Sequence, residues 1–276
     1  IAYDPFQQVR RSGARGSELM KALEEARQRV VAGLDLRKAL NALTNKDQPP
    51  ITLTVRRGNA TLKVKVTPGV LRVEPVTYRL MGEGVGYLRI TQFQEGTPEA
   101  LQRALAGLGS GVRGLVIDLR NNPGGSLEAA AQSASMLVNS SVLALVETRQ
   151  GENKRRQPVH ISAKPRLKVP IVVLMNRGTA NVAEALAVAL RDRANARLVG
   201  ERTFGDGLVQ TFIPLPDGSA MTVTTGKLFT LSGGDFHAKG VYPTVAVPTA
   251  LRQGQDLALQ RAVGLLSQRA TTRRAS

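Results

Sequence analysis

The stretch Val169-Pro170-Ile171-Val172-Val173-Leu174-Met175-Asn176-Arg177-Gly178-Thr179-Ala180-Asn181-Val182-Ala183-Glu184 carries most of the structural information in the chain. Val169–Met175 is a short apolar run rich in β-branched residues, the pattern of a strand buried on both faces. From Glu184 to Leu190 the residues are mainly Ala and Leu, and Arg191-Asp192 close the pattern, so a helix packed on that strand follows. Between them lies a Gly-bearing turn. A strand, a tight turn and a helix place one side chain at a helix N-terminus, where orphan N–H groups and the helix dipole favour negative charge. Nucleophiles are often put there. The residue at that place is Asn181, a side chain with no ordinary nucleophilic chemistry.

Strand–turn–helix units extend outward from this one. Val85–Ile90 reads as a strand, residues 97–108 as a helix, and Gly114–Leu119 as a second buried strand. Asn121-Asn122-Pro123-Gly124-Gly125-Ser126 is a turn, and Leu127–Leu137 a helix. Val142–Thr148 continues the alternation, which predicts an α/β core with a largely parallel sheet. Arg149–Arg166 reads as a basic, exposed excursion. Leu208–Thr230 carries antiparallel signals around a Pro216-Asp217-Gly218 turn. Asp256–Leu266 is a closing amphipathic helix, and 268–276 are expected to be disordered.

The first third differs. Ser17–Val30 and Leu36–Leu43 have helical spacing, whereas Ile51–Val55 and Ala60–Val66 alternate about Arg57-Gly58-Asn59 as a hairpin whose apolar face turns toward the preceding short helix. Val70–Leu80 is a linking strand. The expected divisions are 1–33, a helical segment; 34–80, a small module; 81–250, the α/β core; and 251–276, a helix with a basic tail.

Composition narrows the function classes. The 276 residues are 42% hydrophobic, enough for a sizeable core, and contain no apolar run long enough to span a bilayer. Neither an initiator Met nor a signal-peptide core is present, so the chain is expected to begin inside a longer or processed product. Zero cysteines exclude thiolate catalysis and Cys-ligated zinc. Net charge is +17, with seven basic residues against one acidic over Arg149–Lys168. Aromatics are 4% and are not interleaved with the basic runs, which disfavours nucleic acid and leaves an anionic lipid or cell-wall polymer, or a solvated basic surface.

Three constellations could carry chemistry. Gly124-Gly125 lets backbone N–H groups approach a ligand, although a tight turn alone explains two glycines. Asp118 and Arg120 beside it read as polar anchors for the loop. In Phe204-Gly205-Asp206-Gly207 the glycines allow a backbone path that aims Asp206 into a cleft, or merely make a turn. His160 and His237 lie in polar or Gly-rich segments and are expected in solvent. No Gly-x-Ser-x-Gly, no metal-ligand spacing and no cofactor motif is present.

Together these segments resemble the carboxyl-terminal-processing (tail-specific) serine proteases, which use a Ser–Lys dyad. The resemblance covers roughly residues 34–266. It is carried by Gly84–Ile90, Ile117-Asp118-Leu119-Arg120-Asn121-Asn122-Pro123-Gly124-Gly125, Gly178–Glu184, Val199–Gln210, Leu215–Ser219, Thr224-Thr225 and Lys239-Gly240-Val241-Tyr242-Pro243. It implies a crotonase/ClpP-like core with a mixed sheet and a PDZ-like module before it. Asp35–Val66 is similar to the second half of such a module. Its Gly-rich carboxylate-binding loop and first strands are not found between Asp4-Pro5-Phe6 and Gly33.

The family turn reads Gly-Ser-Ala-Ser-Ala-Ser-Glu with the middle Ser as nucleophile; that position is Asn181. The family's general base is the Lys of Phe-Gly-Lys-Gly; that position is Asp206, 25 residues on, the family's own spacing. Gln210 matches a supporting Gln, and Gly124, Gly125 and the Val182 amide match oxyanion-hole positions. A carboxamide is no nucleophile, and an aspartate beside it has nothing to activate. The expectation is therefore a silent site in which the Asn181 carboxamide is hydrogen-bonded to the Asp206 carboxylate. Thr179 should face away from the site, and Lys227 aligns with a family Arg/Lys other than the base. The chain is thus expected to be a catalytically inactive relative that binds or scaffolds proteins or peptides. It would need no metal or cofactor, would be exported to the periplasm or cell envelope, and could be oligomeric. Rival readings are a working serine endopeptidase and a binder of anionic envelope polymer or lipid.

Overall fold

A computed structural model describes residues 51–57, 60–67, 74–151, 153–162, 165, 168–216, 219–249 and 255–272. The helices expected at 17–30 and 36–43 lie outside these residues, as does the end of the tail from 273. Two compact units are present, Ile1–Val73 and Glu74–Ser276. In the first, β1 (Ile51–Arg57) and β2 (Ala60–Val66) form the antiparallel hairpin expected from their alternation, in register from Ile51 opposite Val66 to Arg57 opposite Ala60.

The second unit is a mixed α/β structure built on a six-stranded sheet. Its strands are β3 (Val76–Met81), β4 (Val85–Ile90), β5 (Gly114–Asp118), β8 (Ile171–Met175), β9 (Arg197–Gly200) and β12 (Val245–Ala246). Their spatial order is β12-β9-β8-β5-β4-β3, and only the β3–β4 pair is antiparallel. Strand β3, read from sequence as part of a linker before the core, is thus the core sheet's edge strand.

Alternate residues of the central strands feed two apolar clusters. Leu115, Ile117, Ile171 and Val173 pack with α1 (Thr97–Leu108), α2 (Leu127–Ser135) and α3 (Val182–Ala194); Val116, Val172, Leu174 and Val199 pack with Ala258, Ala262 and Leu266 of α4 (Leu257–Thr272). Both faces are covered, which is why β8 is apolar throughout and β5 is apolar up to Asp118. Helix α4 continues through Thr272, so part of the tail expected to be disordered is helical.

A second, four-stranded sheet is antiparallel throughout, with order β10-β11-β6-β7. It contains β6 (Val142–Gln150), β7 (Asn153–His160), β10 (Leu208–Pro214) and β11 (Ala220–Phe229). This corrects the reading of Val142–Thr148 as a further strand of the parallel core. A short apolar run has the same pattern in either sheet, and the partners β7 and β11 decide which one it joins. The basic excursion is itself strand β7, exposed along nearly its whole length. Helix α3 is buried on every side from Val182 to Leu190 and shares its cluster with Leu143, Ala144 and Leu228 of the second sheet. A helix apolar all round needs cover all round, which the two sheets supply.

Candidate functional site

The site forms where β8 ends and α3 begins. The turn is fixed by side chain–backbone bonds to the neighbouring Asn121–Gly125 loop. Asn176 Oδ1 accepts from the N–H groups of Gly178 (3.0 Å) and Asn121 (2.9 Å), and its Nδ2 donates to Asn121 Oδ1 (3.1 Å). Thr179 is fully buried and donates its hydroxyl to the Leu119 carbonyl at 2.8 Å, facing away from the site as expected. The Ala180 N–H donates to the Asn122 carbonyl at 2.9 Å. Asn181 then takes φ 55°, ψ −126°, a backbone state that L-residues rarely hold.

Asn181 does not meet Asp206 in the expected way. Its Nδ2 donates to two main-chain carbonyls, Leu208 at 2.7 Å and Asp206 at 3.3 Å. The Asp206 carboxylate instead accepts from the Leu208 N–H at 3.1 Å. The two residues are hydrogen-bonded, but through the Asp206 backbone. The reason is local: two residues past its own Cα, a carboxylate finds the Leu208 N–H as a ready donor, an Asx-type turn.

Glu184 joins both halves of the site, a role the sequence reading did not give it. One carboxylate oxygen accepts from the Thr203 hydroxyl and the Gly205 N–H (2.9 Å); the other accepts from the N–H groups of Asp206 (2.9 Å) and Asn181 (3.0 Å). Burial pushes this carboxyl up from the ordinary glutamate range, while the four donors pull it down and offset part of that rise. The legible signal was Asn181-x-x-Glu184, the spacing by which a third-position Glu reaches back to a helix start. Gly205 lies at φ 90°, and a Cβ there would sit 2.7 Å from the Gly240 nitrogen, so the 203–207 loop can nest only with glycine at that point.

The Gly124-Gly125 loop packs directly on the corner. A Cβ at Gly124 would lie 2.7 Å from the Asn181 Cβ and 3.3 Å from the Val182 nitrogen. The Gly124 N–H, however, already donates to Asn122 Oδ1 at 2.9 Å, which removes one of the three anticipated oxyanion donors. Among the described residues, no hydrogen-bond acceptor faces the N–H of Gly125 or of Val182. Gln210 is exposed on β10, and no described hydrogen bond joins its side chain to Asn181 or Asp206. Lys227 donates to Asp235 at 2.7 Å. His160 is exposed, whereas His237 is half-buried with its Nδ1 accepting from the Gly207 N–H at 3.2 Å, so only one of the two fits the solvent expectation.

Asp118 and Arg120 do anchor the loop, and reach further. Asp118 is fully buried and accepts from Tyr87 Oη (2.6 Å), from the Arg120 N–H (3.0 Å) and from Arg120 Nη2 (2.6 Å). Arg120 also grips Asp256 at 2.9 and 2.8 Å, and Asp256 Oδ1 accepts from the Leu259 N–H at the start of α4. Burial opposes the Arg120 charge, but its two carboxylate partners hold its pKa above the ordinary value. Burial, with the charge and hydrogen bond of Asp118, pushes the Tyr87 hydroxyl up to about 12.

Chemically, the corner holds a carboxamide whose N–H donors point to carbonyls and a carboxylate with one oxygen on a backbone N–H. The scaffold around them matches known proteins. A family model described as Peptidase family S41 matches residues 84–247. A carboxyl-terminal-processing protease of Picosynechococcus sp. is 35% identical over 272 residues, covering 92% of this chain and 65% of that protein. A carboxy-terminal-processing protease of Bartonella bacilliformis is 33% identical over 239 residues, 83% of this chain and 55% of that one. The solved photosystem II D1 C-terminal processing protease shares 32% identity and superposes with a TM-score of 0.59 over 78% of this chain and 60% of its own. The chain thus spans less than two thirds of the length of these relatives. By the family match across its α/β core and its identity to these relatives, the chain belongs to peptidase family S41, among the C-terminal-processing proteases.

Proposed function

We propose that this chain is a catalytically silent C-terminal-processing protease homologue that binds or scaffolds proteins or peptides. The observation that carries this reading is Asn181 at the strained corner, its carboxamide donated to the Asp206 and Leu208 carbonyls. In this reading Asn181 and Asp206 occupy the nucleophile and general-base positions. The carboxamide cannot attack and the carboxylate has no nucleophile to activate, and a site without that pair keeps only roughly 10³–10⁴-fold acceleration from the oxyanion donors and binding. We read the two-sheet core around α3 as crotonase/ClpP-like, and the β1–β2 hairpin as part of a PDZ-like module. Family membership and the lack of cysteines support an exported, cell-envelope location.

The test is incubation of the purified chain with an unfolded substrate such as casein. The expected result is intact casein. Cleavage that disappears in Asn181→Ala or Asp206→Ala would establish a working endopeptidase instead. A second reading, attachment to an anionic envelope surface, is favoured by the exposed basic strand β7 and the +17 charge. It predicts retention on an anionic polymer such as heparin that falls steeply with salt.

A further inference from the structure

The second sheet ends in two hairpins of opposite character. Strand β11 pairs with β6 only from Phe229 opposite Leu145 to Gly226 opposite Thr148. Beyond that point β10 and β11 continue together alone, from Gln210 opposite Thr224 to Pro214 opposite Ala220. In the same direction β6 and β7 run only as far as Gln150 opposite Asn153. Six residues of overhang against two, at about 3.4 Å each, put the end of the β10–β11 ribbon roughly 13 Å past the end of β6.

The longer ribbon is almost uncharged and carries exposed apolar side chains between threonines. From Leu208 to Gly226 its one ionisable side chain is Asp217, in a chain of net charge +17. Phe212 is 69% exposed, Met221 47%, and Ile213 and Leu215 38% each. Alternation sends Phe212 to one face and Ile213, with its cross-strand partner Met221, to the other. A two-stranded ribbon bare on both faces is marginal in water. A protein partner lying on it would cover one face, whereas an apolar medium covers both.

The shorter hairpin is basic. Arg149, Lys154, Arg155 and Arg156 are exposed on it, beside the half-buried Glu147. Glu147 is paired with Lys154 and Arg156. Arg149 stands directly opposite Lys154, whose ammonium is 3.8 Å from the Glu147 carboxylate. Among the described residues neither Arg149 nor Arg155 has an ion-pair partner.

We infer that these two hairpins form a membrane-docking wedge, in which Phe212, Ile213, Leu215 and Met221 enter the interface of an anionic bilayer and Arg149 and Arg155 meet its headgroups. The offset between the tips suits this, because interfacial apolar groups sit about 5–10 Å inside the headgroup boundary. A second copy of the chain would bring a second +17 body to an uncharged contact, so lipid is the better-matched occupant. The inference rests on the anionic-surface reading above and is independent of whether the Asn181 site is silent. No helix among the described residues is long and apolar enough to cross a membrane, so the attachment described is peripheral.

The test is co-sedimentation of the full chain with vesicles of phosphatidylcholine alone or mixed with phosphatidylglycerol, beside heparin chromatography and sedimentation velocity. Binding is expected to the anionic vesicles and to weaken with salt. Arg149→Ser with Arg155→Ser should weaken it about 30-fold, at roughly fivefold per basic side chain. Phe212→Ser with Met221→Ser should weaken it about tenfold or more while leaving heparin retention and thermal stability unchanged. Asp217→Asn, which removes the one acid of the ribbon, should strengthen it. Heparin retention without vesicle binding, or vesicle binding indifferent to Phe212→Ser/Met221→Ser, would overturn the wedge and leave the anionic-surface reading standing. Neither heparin nor vesicle binding would overturn both. A dimer abolished by Phe212→Ser/Met221→Ser would make a second copy the occupant and also overturn the wedge.

Discussion

Replacing Asn181 by alanine isolates what the side chain at the corner does now. The substitution removes the donors to the Leu208 carbonyl at 2.7 Å and the Asp206 carbonyl at 3.3 Å. Each lost neutral bond is worth about 0.5–1.5 kcal/mol, toward the lower end here because the site is half-buried and water can enter. Parent asparagine and alanine both carry a Cβ at φ 55°, so that strain, about 1–2 kcal/mol, is common to the two. The expected loss is about 1–3 kcal/mol, from the two bonds. Asn181→Gly loses the same bonds without the backbone penalty and should fall short of alanine by about that 1–2 kcal/mol. Urea denaturation of the three proteins measures both differences, and hydrogen exchange at Asp206–Leu208 should rise in both variants. Equal stability of Asn181→Ala and the parent, within 0.5 kcal/mol, would refute the view that the carboxamide is a structural clasp between α3 and β10.

Glu184→Gln replaces four-fold acceptance by a group with one acceptor oxygen and two new donors facing donors; it should cost about 3 kcal/mol in denaturant and loosen exchange at both the 179–181 and 203–206 segments. The Tyr87 hydroxyl ionises at about 12 when folded against 10.0 as a free group, so the folded state holds the extra proton between those values. Stability should therefore fall as pH rises from 10 toward 12, by roughly 2–3 kcal/mol in all, and Tyr87→Phe should flatten that slope in a denaturant series across the range. Burial works against ionising Asp256, but hydrogen bonds from Arg120 and the Leu259 N–H, with the Arg120 charge, hold its carboxyl below the usual range. Its contribution is present above the unfolded aspartate value near 3.9 and is lost as pH falls through the lower folded one. Circular dichroism should show part of the acid sensitivity of α4 removed in Asp256→Asn.

What was legible in the sequence was local. The β8–turn–α3 unit, the Gly124-Gly125 turn and the β10–β11 hairpin each carry a periodicity change and turn residues within a few positions, and each stands where expected. What escaped depended on distant partners. Val142–Gln150 has the composition of a core strand, and only β7 and β11 decide that it lies in the second sheet. The polar strand β7 hides its period because no apolar face is buried. The donor of Gly124 is taken by Asn122, an Asx bond over two residues that the Asn-Pro-Gly spacing announces once it is looked for. The choice of Asn181 between the Asp206 carboxylate and nearby carbonyls turns on where β10 begins, which no local pattern gives.

The proposed silent site on the S41 scaffold is tested most directly by the rate of casein cleavage by the parent chain and by Asn181→Ser/Asp206→Lys, side by side. No cleavage by the parent and measurable cleavage by the double variant are expected. Cleavage by the parent at a rate that Asn181→Ala abolishes would contradict that proposal.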